Sequence, residues 1–126
     1  MMVTRVQNLG FARFTSVLAA TTWWFQWGTG TGAAASANVV TTTTTTEART
    51  AATMSQQTTT NANDTLRAIG TIVAAGTRAI TEVGIFDAAG AASPPVGGNM
   101  DMYGDFAAIG LVAADSIAFT FDVKFA

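Results

Sequence analysis

Residues 115–125 constrain the fold more tightly than any other stretch. Ile117, Phe119, Phe121, Val123 and Phe125 alternate with Ser116, Ala118, Thr120, Asp122 and Lys124. A period of two collects the large apolar side chains on one face and the small or polar ones on the other, whereas a helix would spread the three phenylalanines around its circumference. This segment reads as a β-strand.

The same logic places further strands before it. In residues 99–109, Met100, Met102, Phe106 and Ala108 share one face with Gly104, and Asp101, Tyr103 and Asp105 share the other. Residues 78–86 (RAITEVGIF) are short and rich in β-branched side chains. Residues 66–74 (LRAIGTIVA) are apolar at both parities, the pattern of a strand covered on both sides. Trp23, Phe25 and Trp27 fall on one side of a strand and Trp24 on the other. Asn61, Asn63 and Asp64, then Ala75-Gly76, then Asp87 to Gly90 mark turns, and Ser93-Pro94-Pro95 marks a loop because two adjacent prolines remove two amide donors from any ladder. Short strands at such spacings predict an all-β chain, an antiparallel β-sandwich or jelly roll, with a less regular N-terminal segment or arm. One domain over 1–126 is expected, with 1–22 as the arm or edge segment and 23–126 as the β core.

The N-terminal half is less decided. Residues 2–9 fit a strand, while Phe11, Phe14, Val17 and Leu18 fit a short helix over 8–20. Six threonines in a row, 41–46, favour extended backbone but offer no apolar face, so neighbours must set their register. One or both of residues 1–18 and 40–57 are expected to become ordered against a partner, since neither carries enough apolar patterning to offset an ordering cost of roughly 1–2 kcal/mol per residue.

Composition narrows the function. Charged residues are 11% of the chain against 49% hydrophobic, where a soluble protein carries about 25% charged. The six cations, Arg5, Arg13, Arg49, Arg67, Arg78 and Lys124, are scattered and the net charge is −2, a poor match to phosphates or an anionic membrane. The apolar stretch 11–27 is interrupted by Arg13 and by five polar residues, too broken for a membrane span or a secretory signal. Zero histidines and zero cysteines remove the commonest general base, the commonest transition-metal ligand and any thiolate site. No nucleophile–base pair stands out.

The remaining motifs have plain structural readings. Gly28-Thr-Gly-Thr-Gly32 lacks the lysine of a phosphate-binding loop and reads as a tight turn after the tryptophan strand. Glu82, Asp87, Asp101 and Asp105 lack calcium-loop spacing, and no metal or cofactor is expected. Trp24 and Tyr103 are the aromatic contact candidates, for a protein partner or a sugar. Thr43, Thr45 and Arg49 join them as contact residues.

Five segments taken together, Trp27-Gly-Thr-Gly-Thr-Gly32, Glu47-Ala-Arg49, Asn63-Asp-Thr65, Ala79-Ile-Thr-Glu-Val-Gly-Ile-Phe-Asp87 and Asp115-Ser-Ile-Ala-Phe-Thr-Phe121, resemble small structural proteins of tailed bacteriophages. The resemblance spans about residues 23–125 and is most specific from Ile80 to Asp87. It departs at Ile85, where leucine is common, and at Ala114-Asp115, where the family has glycine-aspartate. It is shared by capsid-decorating cement proteins and by segments of tail-fibre-like proteins. It implies a virion component without fixing capsid or tail; the expectation is a non-enzymatic protein made in the host cytoplasm and carried on the capsid surface. Its partners would be the major capsid protein and other copies of itself, with no direct contact to nucleic acid or membrane. The absence of a long repetitive shaft from these 126 residues leans the expectation towards cement, with a tail or fibre-attachment module and a glycan-binding module as the other readings.

Overall fold

The computed structural model describes residues 8–33 and 46–125. It is an antiparallel β-sandwich with one short helix. In chain order the elements are α1 (Asn8–Ala19), β1 (Trp24–Gly28), β2 (Thr50–Ala51), β3 (Thr53–Gln57), β4 (Thr65–Val73), β5 (Arg78–Phe86), β6 (Met100–Leu111) and β7 (Ser116–Lys124). One sheet has the order β2-β1-β5-β6 and the other β3-β4-β7.

The two sides of the sandwich are built differently. On one, β2 and β3 are successive pieces of one segment that leaves the first sheet at Ala52 and joins the second, a common way to turn a corner. The Ala52 amide donates to the Trp23 carbonyl at 2.7 Å, which holds the switch point. On the other side, β6 and β7 end their respective sheets without pairing, and the turn at 112–115 connects them, where the Val112 amide donates to Asp115 Oδ2 at 2.8 Å.

Alternation sets the core. Phe25 and Trp27 from β1, Val83 and Ile85 from β5, Ala68 and Ile72 from β4, and Phe119 from β7 are all buried between the sheets. The rings interlock across the gap: Phe25 stacks on Phe119 with centroids 6.0 Å apart, and Trp27 and Phe106 meet the same ring at 6.5 and 6.1 Å. Gly70 on β4 makes room for this, because a Cβ there would lie 2.7 Å from Phe25 Cε2.

The helix plugs one end of the sandwich. Of its expected apolar stripe, Leu18 packs on the core, but Phe14 and Val17 stay 53% and 69% exposed. The buried position is Thr15, whose hydroxyl donates to the Asn63 carbonyl at 2.7 Å and accepts from Gln56 Nε2 at the same distance. The Trp23 indole N–H donates to the Leu18 carbonyl at 3.0 Å, satisfying one carbonyl of the last turn. Asn8 and Leu9 are thus helical and not part of a strand; the rest of the 2–9 strand reading lies outside the described residues. The expected arm is also shorter than the sequence reads, since 50–57 pairs within the two sheets.

One strand differs from its sequence reading. β4 is apolar on both faces but covered on one: Leu66, Ala68 and Ile72 are buried, while Ile69 and Val73 are 42% and 54% exposed. Alternation records side-chain chemistry; the described residues cover the second face at its start, where Thr65 is buried beside Thr59 and Asp64, and leave it open at Ile69 and Val73.

Candidate interaction surface

The register places Trp24, Gln26 and Gly28 on the outer face of the four-stranded sheet, opposite Phe86, Gly84 and Glu82 of β5. Tyr103 and Asp105 of β6 continue the same rows, beside Gly84 and Glu82. The two aromatic contact candidates therefore share one face, with β5 between them, two strand spacings across and two residues along, about 12 Å apart. Both are half-buried.

This face is polar chemistry turned inward. Glu82 is fully buried in the middle of an apolar strand, so its oxygens require partners. The Gly30 amide donates to Oε1 at 3.0 Å and the Tyr103 hydroxyl to Oε2 at 2.9 Å. One turn further, the Gly32 amide donates to Asp105 Oδ2 at 3.0 Å, and Thr81 Oγ1 donates to the Gly30 carbonyl at 2.5 Å. The glycine-rich turn thus folds back across β5 and β6 and offers its amides to the chain's own carboxylates. Gly32 has a φ of +70°, a conformation that side-chain-bearing residues rarely adopt.

Arg49 differs from its reading as a surface contact. It is 6% exposed and lies over the Phe86 ring, 3.6 Å from Cζ to the centroid. Its Nε donates to Gln26 Oε1 at 2.8 Å, and Nη1 donates to the carbonyls of Ala88 and Gly97, both at 2.8 Å. Gln26 Nε2 in turn donates to the Pro95 carbonyl at 3.2 Å. The guanidinium is a clamp that holds the 87–99 loop over the sheet, and burial lowers its pKa against the opposing pull of Asp87. The same loop is pinched at its base, where Asp87 accepts from the Asn99 amide at 2.7 Å and from its side chain at 2.8 Å, which hold the Asp87 pKa below the usual carboxylate range.

Two further carboxylates serve the backbone. Asp64 is buried and accepts from the amides of Thr59, Thr60 and Asn61 at 3.0, 3.0 and 2.7 Å, and from the hydroxyls of Thr59 and Thr65 at 2.9 and 3.1 Å. Burial pushes its pKa up, but these bonds, led by those of Asn61 and Thr59, outweigh it and hold the carboxyl well below the usual range. Glu47 accepts from the Ala75 amide at 3.0 Å and from the Trp27 indole at 3.4 Å, with Arg78 at 3.3 Å, so its pKa is also lowered despite burial. The sequence reading missed these roles.

Of the other candidates, Thr43 and Thr45 lie outside the described residues. Asp101 sits near Asp87, and burial together with that like charge raises its pKa. Among the described residues no three carboxylates converge to hold a metal ion, and no helix is long and apolar enough to cross a membrane. Protein-family models, curated proteins and solved structures give no match to this chain.

Proposed function

We propose that this chain is a virion structural protein, a capsid cement or decoration protein that binds the shell of the major capsid protein and reinforces it without catalysis. One observation carries the reading. The groups able to do chemistry, Glu82, Asp64, Glu47 and Arg49, are spent on the chain's own backbone and loops, while large apolar side chains are left exposed on separate regions. Phe14 and Val17 lie on the helix, Ile69 and Val73 on the outer face of the three-stranded sheet, and Ile109 and Val112 near the end of β6. A thinly charged surface with several apolar contact points suits a clamp that touches more than one neighbour. The phage-protein resemblance supports the same reading.

The physical mechanism is linkage. A protein that binds the assembled shell and not its dissociated subunits stabilises the shell by RT ln(1 + [L]/Kd), about 2.7 kcal/mol per site at one hundred times Kd. Copies repeated over the lattice add such increments with no bond made or broken. The test is a titration of purified chain onto shells lacking it. Binding that saturates and raises the shell's melting temperature supports the proposal; no binding, or binding with no change in melting, refutes it. A tail or fibre-attachment module is the second reading, because the resembling segments occur in both settings. A glycan site on Trp24 and Tyr103 is less favoured, since the Tyr103 hydroxyl is tied to Glu82 and Phe86 lies in the row between the strands.

A further inference from the structure

The four sheet edges are not alike. An open edge presents unpaired amides and carbonyls, and proteins blunt it by shortening, bulging or covering it. β2 is two residues long and β3 five, and the two share the closed corner. β6 is long but irregular: Ile80 pairs with Ile109 and Glu82 with Asp105, so Thr81 alone faces residues 106–108 and the edge is bulged. Among the described residues β7 has none of these devices. Its nine residues pair with β4 in unbroken register from Ser116 to Lys124, and no described element hydrogen-bonds its other side. Beside it, between the two open edges, runs an apolar groove of about 320 Å³ lined by Phe106, Ile109, Ile117, Phe119 and Phe121 among others.

The residues of β7 specify what fits. If a second β7 lies antiparallel with full overlap, residue i faces residue 240 − i of the other copy. Thr120 then faces Thr120, Phe119 faces Phe121 and Ile117 faces Val123, all apolar pairs on the groove side apart from the central threonines on the other. Asp122 faces Ala118 and Lys124 faces Ser116, so no like charges are opposed. Both charges are already engaged within their own copy, Asp122 by Arg67 at 2.6 Å and Lys124 by the Thr60 hydroxyl at 2.8 Å. Aromatic, aliphatic and Thr–Thr pairs are the favourable cross-strand combinations. We infer that β7 is an assembly edge, where a second copy of this chain pairs its own β7 across a two-fold axis at Thr120 and joins two three-stranded sheets into one of six.

This inference stands apart from the capsid reading, since it concerns only the free protein. Thr120 is exposed at the centre of the strand, so it is the place to test it. T120K and T120E each set like charges face to face at the axis, and mixing them sets opposite charges there. Sedimentation equilibrium of the wild type should give a dimer of twice 13.0 kDa. Each variant alone should dimerise several-fold more weakly, and the equimolar mixture should regain wild-type affinity or better. Hydrogen exchange of the wild type at high and low concentration supplies a readout that needs no variant: the added protection at high concentration should fall within residues 116–124. A wild type that is monomeric throughout, a dimer indifferent to both charges, or concentration-dependent protection at β6 instead of β7 would each overturn the inference.

Discussion

Gly70→Ala tests the packing between the sheets at its tightest point. The added methyl would sit 2.7 Å from Phe25 Cε2, well inside contact distance. Phe25 cannot swing aside cheaply, because its ring is held by Phe119 at 6.0 Å and Phe121 at 5.9 Å and is fully buried. Overpacking of this kind costs about 1–3 kcal/mol. Replacing glycine also restricts the unfolded chain, which offsets about 0.4–1 kcal/mol, so a net loss of up to about 2.6 kcal/mol is expected. Urea denaturation measures it, with Gly110→Ala as the control, since a Cβ at Gly110 meets nothing within 4 Å. The control should be neutral or slightly stabilising. In a double-mutant cycle, Phe25→Leu should recover part of the Gly70→Ala loss, because a smaller side chain vacates the contested space. Equal stability of the two alanine variants, or strict additivity in the cycle, would refute the proposed contact.

Phe119→Ala should cost about 3–5 kcal/mol by thermal or urea melting, as for a buried phenylalanine, while Asp122→Ala on the opposite face should cost far less. Arg49→Leu should destabilise by about 1–2 kcal/mol, because the buried Gln26 side chain and the part-buried carbonyls of Ala88 and Gly97 lose their donor, and limited proteolysis should then cut within 87–99. Asp64 has a folded pKa below its unfolded value, so its contribution is complete above about pH 5 and is lost as pH falls through the unfolded value near 3.9 and below. Asp64→Asn should therefore lower stability at neutral pH and flatten the acid limb of the stability–pH curve.

Local periodicity carried the fold a long way. The 78–86 strand was legible to the residue, and the alternation in 115–125 correctly placed Phe119 in the core. Trp23, Phe25 and Trp27 are buried as their spacing implies, with Trp24 turned outward. What local pattern does not encode is what arrives from elsewhere in the chain. Arg49 reads as a surface cation because its partners lie at Gln26, Ala88 and Gly97, up to 48 positions away. Phe14 outranks Thr15 in hydrophobicity, yet Thr15 is buried because Asn63 and Gln56 meet its hydroxyl. The second face of β4 reads as covered because Ile69 and Val73 are apolar, and apolarity alone does not say whether a neighbour is present.

The central claim is that this chain reinforces a shell, and its copy number decides that most directly. On the proposal that it is a virion protein, quantitative mass spectrometry of purified particles would compare this chain with the major capsid protein. A cement protein should be present in hundreds of copies per particle, in fixed ratio to the shell subunit. A count of at most a few tens would move it to the tail, and its absence from particles would contradict the account.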